Sequence, residues 1–148
     1  MQINKLNHQE VSEFRSLVNI FKDVFENKEA IPDNKHLSRL LTNPYFMVFV
    51  VKENQKVVGG LTIYVLQGYY GTKPIAYIYD VGITPEFQRR GLGKSLIAEV
   101  CKYCMENGFE DAYVEAESCD IDAVNFYRKT KCSSEMSAIH FTYTFNHG

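Results

Sequence analysis

Apolar residues recur along the chain with two different spacings, and each spacing predicts one kind of element. Four segments carry them at every third or fourth position, as on the buried face of a helix, and helices are therefore predicted within residues 7–25, 32–43, 91–107 and 120–130. Strands are predicted where apolar residues run together or alternate with polar ones: YFMVFVVK, VVGGLTIYVL, IAYIYDVGI, DAYVEAE and MSAIHFTYTF, the last as one strand or two. The order α-α-β-β-β-α-β-α-β predicts a mixed α/β sheet with helices on its faces.

Length and composition fit one globular domain over residues 1–148. The 148 residues are 45% hydrophobic, which is ordinary for a chain with one core. The formal net charge of −2 supplies no basic field, so we expect neither a nucleic-acid partner nor an anionic membrane. No apolar run approaches the ~20 residues that span a bilayer. The N-terminal MQINKLNHQEVSEF has no apolar signal-peptide segment, which favours a cytoplasmic protein.

The four cysteines are interpreted as reduced thiols. Cys101 and Cys104 form a C-x-x-C pair, but zinc sites of this type need a second pair, and redox pairs normally lie at a helix N-terminus, where the thiolate is stabilised. This pair lies well inside a predicted helix. The histidines are isolated in sequence from carboxylate and cysteine partners, and His140, between two apolar residues, is interpreted as structural. No metal site is predicted.

A flexible cationic turn, QRRGLG at residues 88–93, joins the strand IAYIYDVGI to the third predicted helix. A helix N-terminus carries unpaired N–H groups and a partial positive charge, and glycines leave such a backbone open to phosphate oxygens. Arg89, Arg90 and Lys94 add positive charge around the turn. The spacing is neither that of the dinucleotide motif G-x-G-x-x-G nor that of a P-loop. The turn indicates a phosphate-bearing ligand, with an exposed basic helix cap as the alternative.

Two segments resemble the GNAT superfamily of acyl-CoA N-acyltransferases. VGITPEFQRRGLGKSLI resembles its motif A, because Gln88, Gly91 and Gly93 occupy the positions of the pattern Gln/Arg-x-x-Gly-x-Gly/Ala. AVNFYRKTKC is similar to a later family segment, although its final KC replaces the family's Gly-Phe and Asp120 replaces an Asn. The likeness to type I aminoglycoside 3-N-acetyltransferases covers most of the chain. It implies a mixed, mostly antiparallel central sheet with helices on both faces.

The same resemblance implies acetyl-CoA as cosubstrate. In the family, two neighbouring strands diverge and the pantetheine arm lies along the gap, which here assigns backbone groups of Val81 and Ile83 to the arm. Gly82 would mark the bulge that opens the gap, or a bulge with a purely structural purpose. The turn that would hold the diphosphate comprises Gln88, Arg89, Arg90, Gly91, Leu92, Gly93, Lys94 and Ser95, the last through its hydroxyl.

Acetyl transfer to an amine requires a neutral amine, a donor to the oxyanion and a proton for the departing thiolate. Asp80 is the candidate for the amine, because Asp is disfavoured within strands and the resemblance puts it beside the thioester. It either accepts the proton, directly or through water, or orients the ammonium; a structural ion pair is the alternative. Tyr127 matches the family's usual catalytic tyrosine and is the candidate acid, whereas helical spacing alone favours a core aromatic.

Four carboxylates are candidates for binding the acceptor. Glu115 and Glu117 share one face of the strand DAYVEAE, because side chains alternate along a strand, and Asp120 follows within a few residues. Together with Asp80 they predict an acidic cleft for a polyamine or an aminosugar; a solvated edge face is the alternative. The loop at residues 67–74 is either a wall of that cleft or an exposed hairpin loop.

These residues and the resemblance predict an N-acetyltransferase that moves acetyl from acetyl-CoA to a primary amine of a small polycationic acceptor, with 3-N-acetylation of an aminoglycoside as the favoured reaction. The alternatives are a protein or peptide N-acetyltransferase, a catalytically silent CoA-binding module, and an interaction domain that pairs through sheet edges. The late strands offer edges through which a homodimer would pair.

Overall fold

A computed structural model describes residues 1–147 and divides the chain into two compact units, one of Met1–Glu115 and one that begins at Ala116. The single-domain interpretation stays a prediction. The first unit contains strands β1 (Gln2–Lys5), β2 (Phe46–Glu53), β3 (Lys56–Leu66), β4 (Ile75–Ile83) and β5 (Asp111–Val114). It also contains helices α1 (Val11–Val24), α2 (Asn34–Thr42) and α3 (Leu92–Glu106), with a single 3-10 turn at Pro85–Phe87.

The strands of the first unit form one sheet in the order β1-β2-β3-β4-β5. The first three pairings in this order are antiparallel, whereas β4 and β5 pair in parallel. Runs of valine, isoleucine and phenylalanine, which pack well on a pleated surface, make up the central strands. Helix α3 lies in the crossover that a parallel pair requires. The prediction of a mixed, mostly antiparallel sheet is confirmed.

Helices cover both faces of the sheet, because successive residues of a strand point to opposite sides. Val48 and Val50 of β2 belong to the apolar core that contains Leu17 of α1. Val51, the next residue of β2, belongs to a separate core with Leu92, the first residue of α3. Burying one side chain of this size stabilises a fold by roughly 1.5–3 kcal/mol, so each helix is held to its own face. The predicted two-faced arrangement is confirmed.

The structure differs from the predicted strands in three places. The predicted strand DAYVEAE ends at Val114, so Glu115 and Glu117 lie beyond it and do not share a face of a strand. The sequence pattern does not predict β1, because four residues with a single apolar side chain carry no period; the strand exists through its pairing with β2, where Ile3 lies opposite Val51. The predicted last strand, at residues 136–145, does not form in the described part of the chain. Phe141 and Tyr143 of this segment are 74% and 80% exposed, because a strand forms only where another strand offers its hydrogen-bonding groups.

The second unit contains one helix in its described residues, α4 (Ile121–Arg128). Asp120 is its N-cap, and the Asp120 carboxylate accepts a hydrogen bond from the amide of Ala123 at 3.1 Å. This is the side-chain cap that satisfies one of the free amides of a helix start. After the helix, the guanidinium of Arg128 donates to both carboxylate oxygens of Glu135, at 2.8 and 3.1 Å.

Candidate active site

A β-bulge in β4 positions Asp80. The register of β3 against β4 shifts between Leu61 and Ile63, where β4 supplies one residue more than β3. The extra residue falls at residues 79–80, opposite Thr62, and the amide of Asp80 donates to the Thr62 hydroxyl at 3.4 Å. A bulge bends its strand and re-aims the side chains beside it. An aspartate that a regular strand disfavours is thus accommodated at an irregular point of β4.

Gly82 is not at the bulge, so the prediction that it marks the bulge is wrong. Gly82 pairs in register with Gly60 of β3. A Cβ atom on Gly82 would lie 3.0 Å from Cδ1 of Phe21 in α1, which is closer than ordinary van der Waals contact. Glycine at this position therefore lets α1 pack directly on the sheet.

Strand β4 extends beyond its parallel partner. The pairing of β4 with β5 ends where Ile78 lies opposite Val114, whereas β4 continues to Ile83. Within the part of the chain that the structure describes, residues 79–83 have β3 on one side and no strand on the other. Val81 lies in this stretch, and the Ile83 carbonyl accepts a hydrogen bond from the side-chain amide of Gln88 at 2.8 Å. Gln88 thereby ties the end of β4 to the turn that follows.

The turn before α3 has left-handed backbone geometry at two positions. Arg89 has a φ of 62° and Gly91 a φ of 78°, and Gly91 is the N-cap of α3. A Cβ atom on Gly91 would meet nothing within 4 Å, so its backbone conformation, not lack of space, favours glycine there. The same conformation costs a residue with a side chain, such as Arg89, about 1–2 kcal/mol.

Backbone amides at the start of α3 remain available as donors. Ser95 is the first residue of the helix to donate to a backbone carbonyl, that of Gly91, at 3.0 Å. Among residues 1–147, no backbone carbonyl accepts a hydrogen bond from the amides of residues 89–94. The guanidinium of Arg90 lies 4.9 Å from the centre of the Phe87 ring, and Lys94 is exposed. Hydrogen-bond donors and positively charged side chains therefore lie at the same turn. Leu92, which is buried, and Gly93 are the first two residues of α3.

Asp80 is half-buried, and this burial raises the pKa of its carboxyl group. Removal from water disfavours the charged form, so the Asp80 carboxylate binds a proton more tightly than an exposed one. Together with Thr62, Tyr64 and Tyr79, Asp80 lines a cavity of about 270 Å³ whose other walls are α1, α2 and the segment between them. In residues 1–147, none of the ion pairs involves Asp80.

A row of tyrosines beside Asp80 has no counterpart in the sequence-based predictions. The rings of Tyr64 and Tyr79 meet edge to face at 5.4 Å, and those of Tyr79 and Tyr77 at 5.8 Å. Tyr77 and Tyr113 stack at 4.7 Å. We call Tyr64, Tyr79, Tyr77 and Tyr113 the tyrosine row. The signal for it was the alternation of tyrosines in IAYIYD together with the register of β5, which places Tyr113 opposite Tyr77.

Glu115 lies at the β5 end of the tyrosine row. The hydroxyl of Tyr77 donates to Glu115 Oε1 at 2.7 Å. This hydrogen bond, followed by burial and by the negative charge of Glu115, raises the pKa of Tyr77 to about 12. The predicted acceptor-binding residue Glu115 is therefore a carboxylate held by a neutral phenol.

Tyr127 lies in the second unit, on α4, and is half-buried. Its ring contacts that of Phe126 at a centroid distance of 5.0 Å. Its backbone carbonyl accepts a hydrogen bond from the Thr130 hydroxyl at 2.6 Å.

The remaining predicted site residues also belong to the second unit. Asp120 and Glu117 are exposed. The Asp120 carboxylate serves as the α4 cap, and Glu117 Oε2 accepts a hydrogen bond from the thiol of Cys119 at 3.7 Å. Asp80, the turn and Glu115 thus belong to the first unit, whereas the other two carboxylates and the candidate acid belong to the second.

The four cysteines are free, and the interpretation as reduced thiols stays a prediction. Burial raises the pKa of Cys101, and burial followed by the nearby Cys101 raises the pKa of Cys104 to about 11. Both shifts disfavour the thiolate that redox or zinc chemistry uses. In residues 1–147, no three histidine, cysteine or acidic side chains are grouped closely enough to hold a metal ion. None of the helices in this range has the length and apolar character needed to cross a bilayer.

Comparison with solved structures gives a close match over nearly the whole chain. An aminoglycoside acetyltransferase, meta-AAC0020 from an uncultured soil metagenomic sample, is 42% identical, with 98% of this chain and 96% of that chain covered and a TM-score of 0.96. Its crystal structures contain trehalose in one case and sisomicin in the other. The aminoglycoside N-acetyltransferase AAC(6')-Iy in complex with CoA is 16% identical, with 96% and 93% coverage and a TM-score of 0.76, a likeness of fold alone.

A curated relative matches a shorter stretch. Mycothiol acetyltransferase of Arthrobacter sp. (strain FB24) is 30% identical over 87 residues, which are 59% of this chain. The chain covers only 27% of the length of that relative.

A family model provides the assignment. The model of the Acetyltransferase (GNAT) family matches residues 14–131, a range that runs from α1 to the end of α4 and contains Asp80, the turn before α3 and Tyr127. The match agrees with the mixed, mostly antiparallel sheet of the first unit. The chain belongs to the Acetyltransferase (GNAT) family.

Proposed function

We propose that the protein transfers an acetyl group from acetyl-CoA to a primary amine of a small polycationic acceptor, that the acceptor is an aminoglycoside, and that the 3-amino group is acetylated. The observation that carries the proposal is the junction of β4 and α3. There the end of β4, which in residues 1–147 has a strand on one side only, leads into a turn of available amides. The likeness of 42% over 98% of the chain to an aminoglycoside acetyltransferase crystallised with sisomicin supports the choice of acceptor.

The turn before α3 fits the diphosphate of the cosubstrate. Amides of residues 89–94 without a backbone acceptor, at the positive end of a helix dipole, are the donors that phosphate oxygens use. Arg89, Arg90 and Lys94 neutralise its charge, and Ser95 adds a hydroxyl. We assign the backbone of Val81 and the amide of Ile83 to the pantetheine arm, because no strand pairs with that side of β4 in residues 1–147.

Acetyl-CoA supplies an acetyl group on a thioester, which an uncharged amine attacks. The chain has to take a proton from the ammonium of the acceptor, and we assign this to the carboxylate of Asp80. Its raised pKa makes it a better base than an exposed aspartate at neutral pH. We assign the return of a proton to the sulfur to the hydroxyl of Tyr127, whose position in the family segment supports this role.

The acceptor is held, in this proposal, by carboxylates that match its ammonium groups. Glu115, Glu117 and Asp120 are exposed and carry this role together with Asp80. Charged surfaces of opposite sign speed the encounter of enzyme and substrate and fix its register.

One assay tests the proposal. The protein is mixed with acetyl-CoA and a panel of aminoglycosides, polyamines and peptides, and thiol release and acetyl mass on the acceptor are measured. We expect acetylated aminoglycoside, with the modified nitrogen identified by NMR. Acetylation confined to peptides contradicts the choice of acceptor, and CoA binding without thiol release contradicts catalysis.

Two variants test the roles of the residues. Asp80→Asn and Tyr127→Phe are expected to lower kcat by about 10²–10⁴-fold, the usual contribution of a positioned acid or base, and to leave CoA affinity nearly unchanged. Tyr143→Phe, at an exposed tyrosine of the second unit, is the control. Wild-type turnover in both variants contradicts the mechanism.

A further inference from the structure

The tyrosine row joins the Asp80 cavity to Glu115 across three strands. Tyr64 of β3 and Tyr79 of β4 line the cavity together with Asp80. Its far end, Tyr113 on β5, is 40% exposed, and Tyr79 in the middle is 55% exposed. Ring contacts at 4.7–5.8 Å order the whole row. Ordered, exposed aromatic surface of this extent beside a candidate base is typical of a binding surface.

The row ends at a positioned negative charge. The hydroxyl of Tyr77 donates to Glu115 Oε1 at 2.7 Å, and the Tyr77 ring is held by its stacked contact with Tyr113, with 8° between the ring planes. This hydrogen bond orients the carboxylate. A fixed carboxylate next to exposed aromatic rings attracts an ammonium through both an ion pair and a cation–π contact.

We propose that the tyrosine row and Glu115 bind the non-reacting ring of an aminosugar acceptor, with the C–H faces of the ring on the tyrosines and an ammonium group at Glu115. The inference rests on the proposed function, because the row begins at Asp80, where that function places the reacting amine. Its ligand class is a set of linked rings that carry at least two ammonium groups. A monoamine or a neutral sugar uses only one half of this surface.

Calorimetry with sisomicin, without acetyl-CoA, tests the binding surface independently of turnover. Tyr113→Ala and Glu115→Gln are each expected to raise the Kd about fivefold, as loss of a cation–π contact or an ion pair predicts. Tyr113→Phe keeps the ring and is expected to bind within about twofold of wild type. Met105→Ala, at a residue of α3 that is 77% exposed, is the control, because α3 covers the face of the sheet opposite α1 and α2. Thermal unfolding of each variant verifies that it folds.

Steady-state kinetics give a second readout. Tyr113→Ala and Glu115→Gln are expected to raise the KM for sisomicin and to leave the KM for acetyl-CoA at its wild-type value. Unchanged sisomicin affinity in both variants overturns the inference and leaves the proposed function standing. A change of oligomeric state in Tyr113→Ala, seen by light scattering, shows that a second copy covers the row and also overturns it. If wild-type protein acetylates no amine, the proposed function fails, while the calorimetry still decides the inference.

Discussion

The backbone amide of Asp80 donates to the hydroxyl of Thr62 at 3.4 Å, across the bulge that separates two regular stretches of the β3–β4 ladder. Thr62 is the buried polar residue of β3, 6% exposed. Its hydroxyl takes the place of a backbone acceptor that the shifted register does not supply. The position of the candidate base therefore depends on a side chain of the neighbouring strand.

Thr62→Val removes the acceptor and keeps the shape of the side chain. We expect the free energy of unfolding to fall by roughly 1–3 kcal/mol, the cost of a buried donor left without its partner. We also expect kcat to fall several-fold at constant KM for acetyl-CoA, because Asp80 loses its anchor. Urea unfolding and kinetics measure the two effects. Thr62→Ser keeps the hydroxyl and serves as the control, and equal kcat in the two variants would contradict the anchoring role.

Asp80→Asn is expected to stabilise the protein at pH 7 while lowering turnover. Burial raises the pKa of Asp80 above its ordinary value of 3.8, so the folded chain binds this proton more tightly than the unfolded chain. The resulting contribution to stability is present below pH 3.8 and is lost as the pH rises through the folded-state pKa; above it, the buried charge is a cost that asparagine avoids.

Thermal unfolding measured at a series of pH values tests whether Asp80→Asn stabilises the protein and at which pH it does so. The gain in Tm for Asp80→Asn should be full at pH 7 and shrink toward pH 3.8, the ordinary value for the group. Asp111→Asn, at the exposed start of β5, is the control for a general charge effect. A gain that does not change with pH would rule out burial as its cause.

Gly82→Ala is expected to destabilise the contact between α1 and the sheet. The new Cβ would lie 3.0 Å from Cδ1 of Phe21, and overpacking of this kind costs about 1–3 kcal/mol. Urea unfolding measures the loss, and Phe21→Leu in the same chain should recover part of it. Gly71→Ala, where a Cβ would meet nothing within 4 Å, is the control. Equal stability of the two alanine variants would disprove the close contact.

Gly91→Ala tests whether the conformation of the turn before α3 affects the affinity for CoA beyond its effect on stability. Alanine at a φ of 78° costs about 1 kcal/mol, and a shift of the turn misaligns its amides, so CoA affinity should fall. Gly108→Ala is the matched control, because Gly108 has a φ of 74°, equally open space and a position beyond the other end of α3. Calorimetry should show a lower affinity for CoA in Gly91→Ala alone. An equal loss of CoA affinity in both variants would mean that backbone strain, and not the position of the turn, is the cause.

Features that depend on local pattern were predictable. The apolar run of β2 and the helical spacing of α1 and α3 are properties of continuous sequence, and the observed elements follow them. The glycine turn could be placed before α3 for the same reason, since Gly91 and its neighbours adjoin a strand and a helix in the chain.

Features that depend on register were not predictable. The bulge at Asp80 follows from how β3 is aligned with β4, and the same apolar pattern fits an alignment without it. The prediction that Gly82 marks the bulge was wrong because the residue that requires a glycine there, Phe21, is distant in sequence. The tyrosine row needs the alignment of β4 with β5, which no local pattern contains.

The parallel pairing of β4 with β5 has a consequence for the order of folding. Antiparallel neighbours such as β2 and β3 are joined by a tight turn, whereas the segment that contains α3 separates β5 from β4 in the chain. Bringing β5 to β4 therefore closes a long loop, and this closure costs conformational entropy before the contacts between the two strands can form. We expect β5 to dock last and to open first, so its amides should exchange with deuterium ahead of those of β2. The edge of the sheet next to the unpaired end of β4 would then be its least stable part.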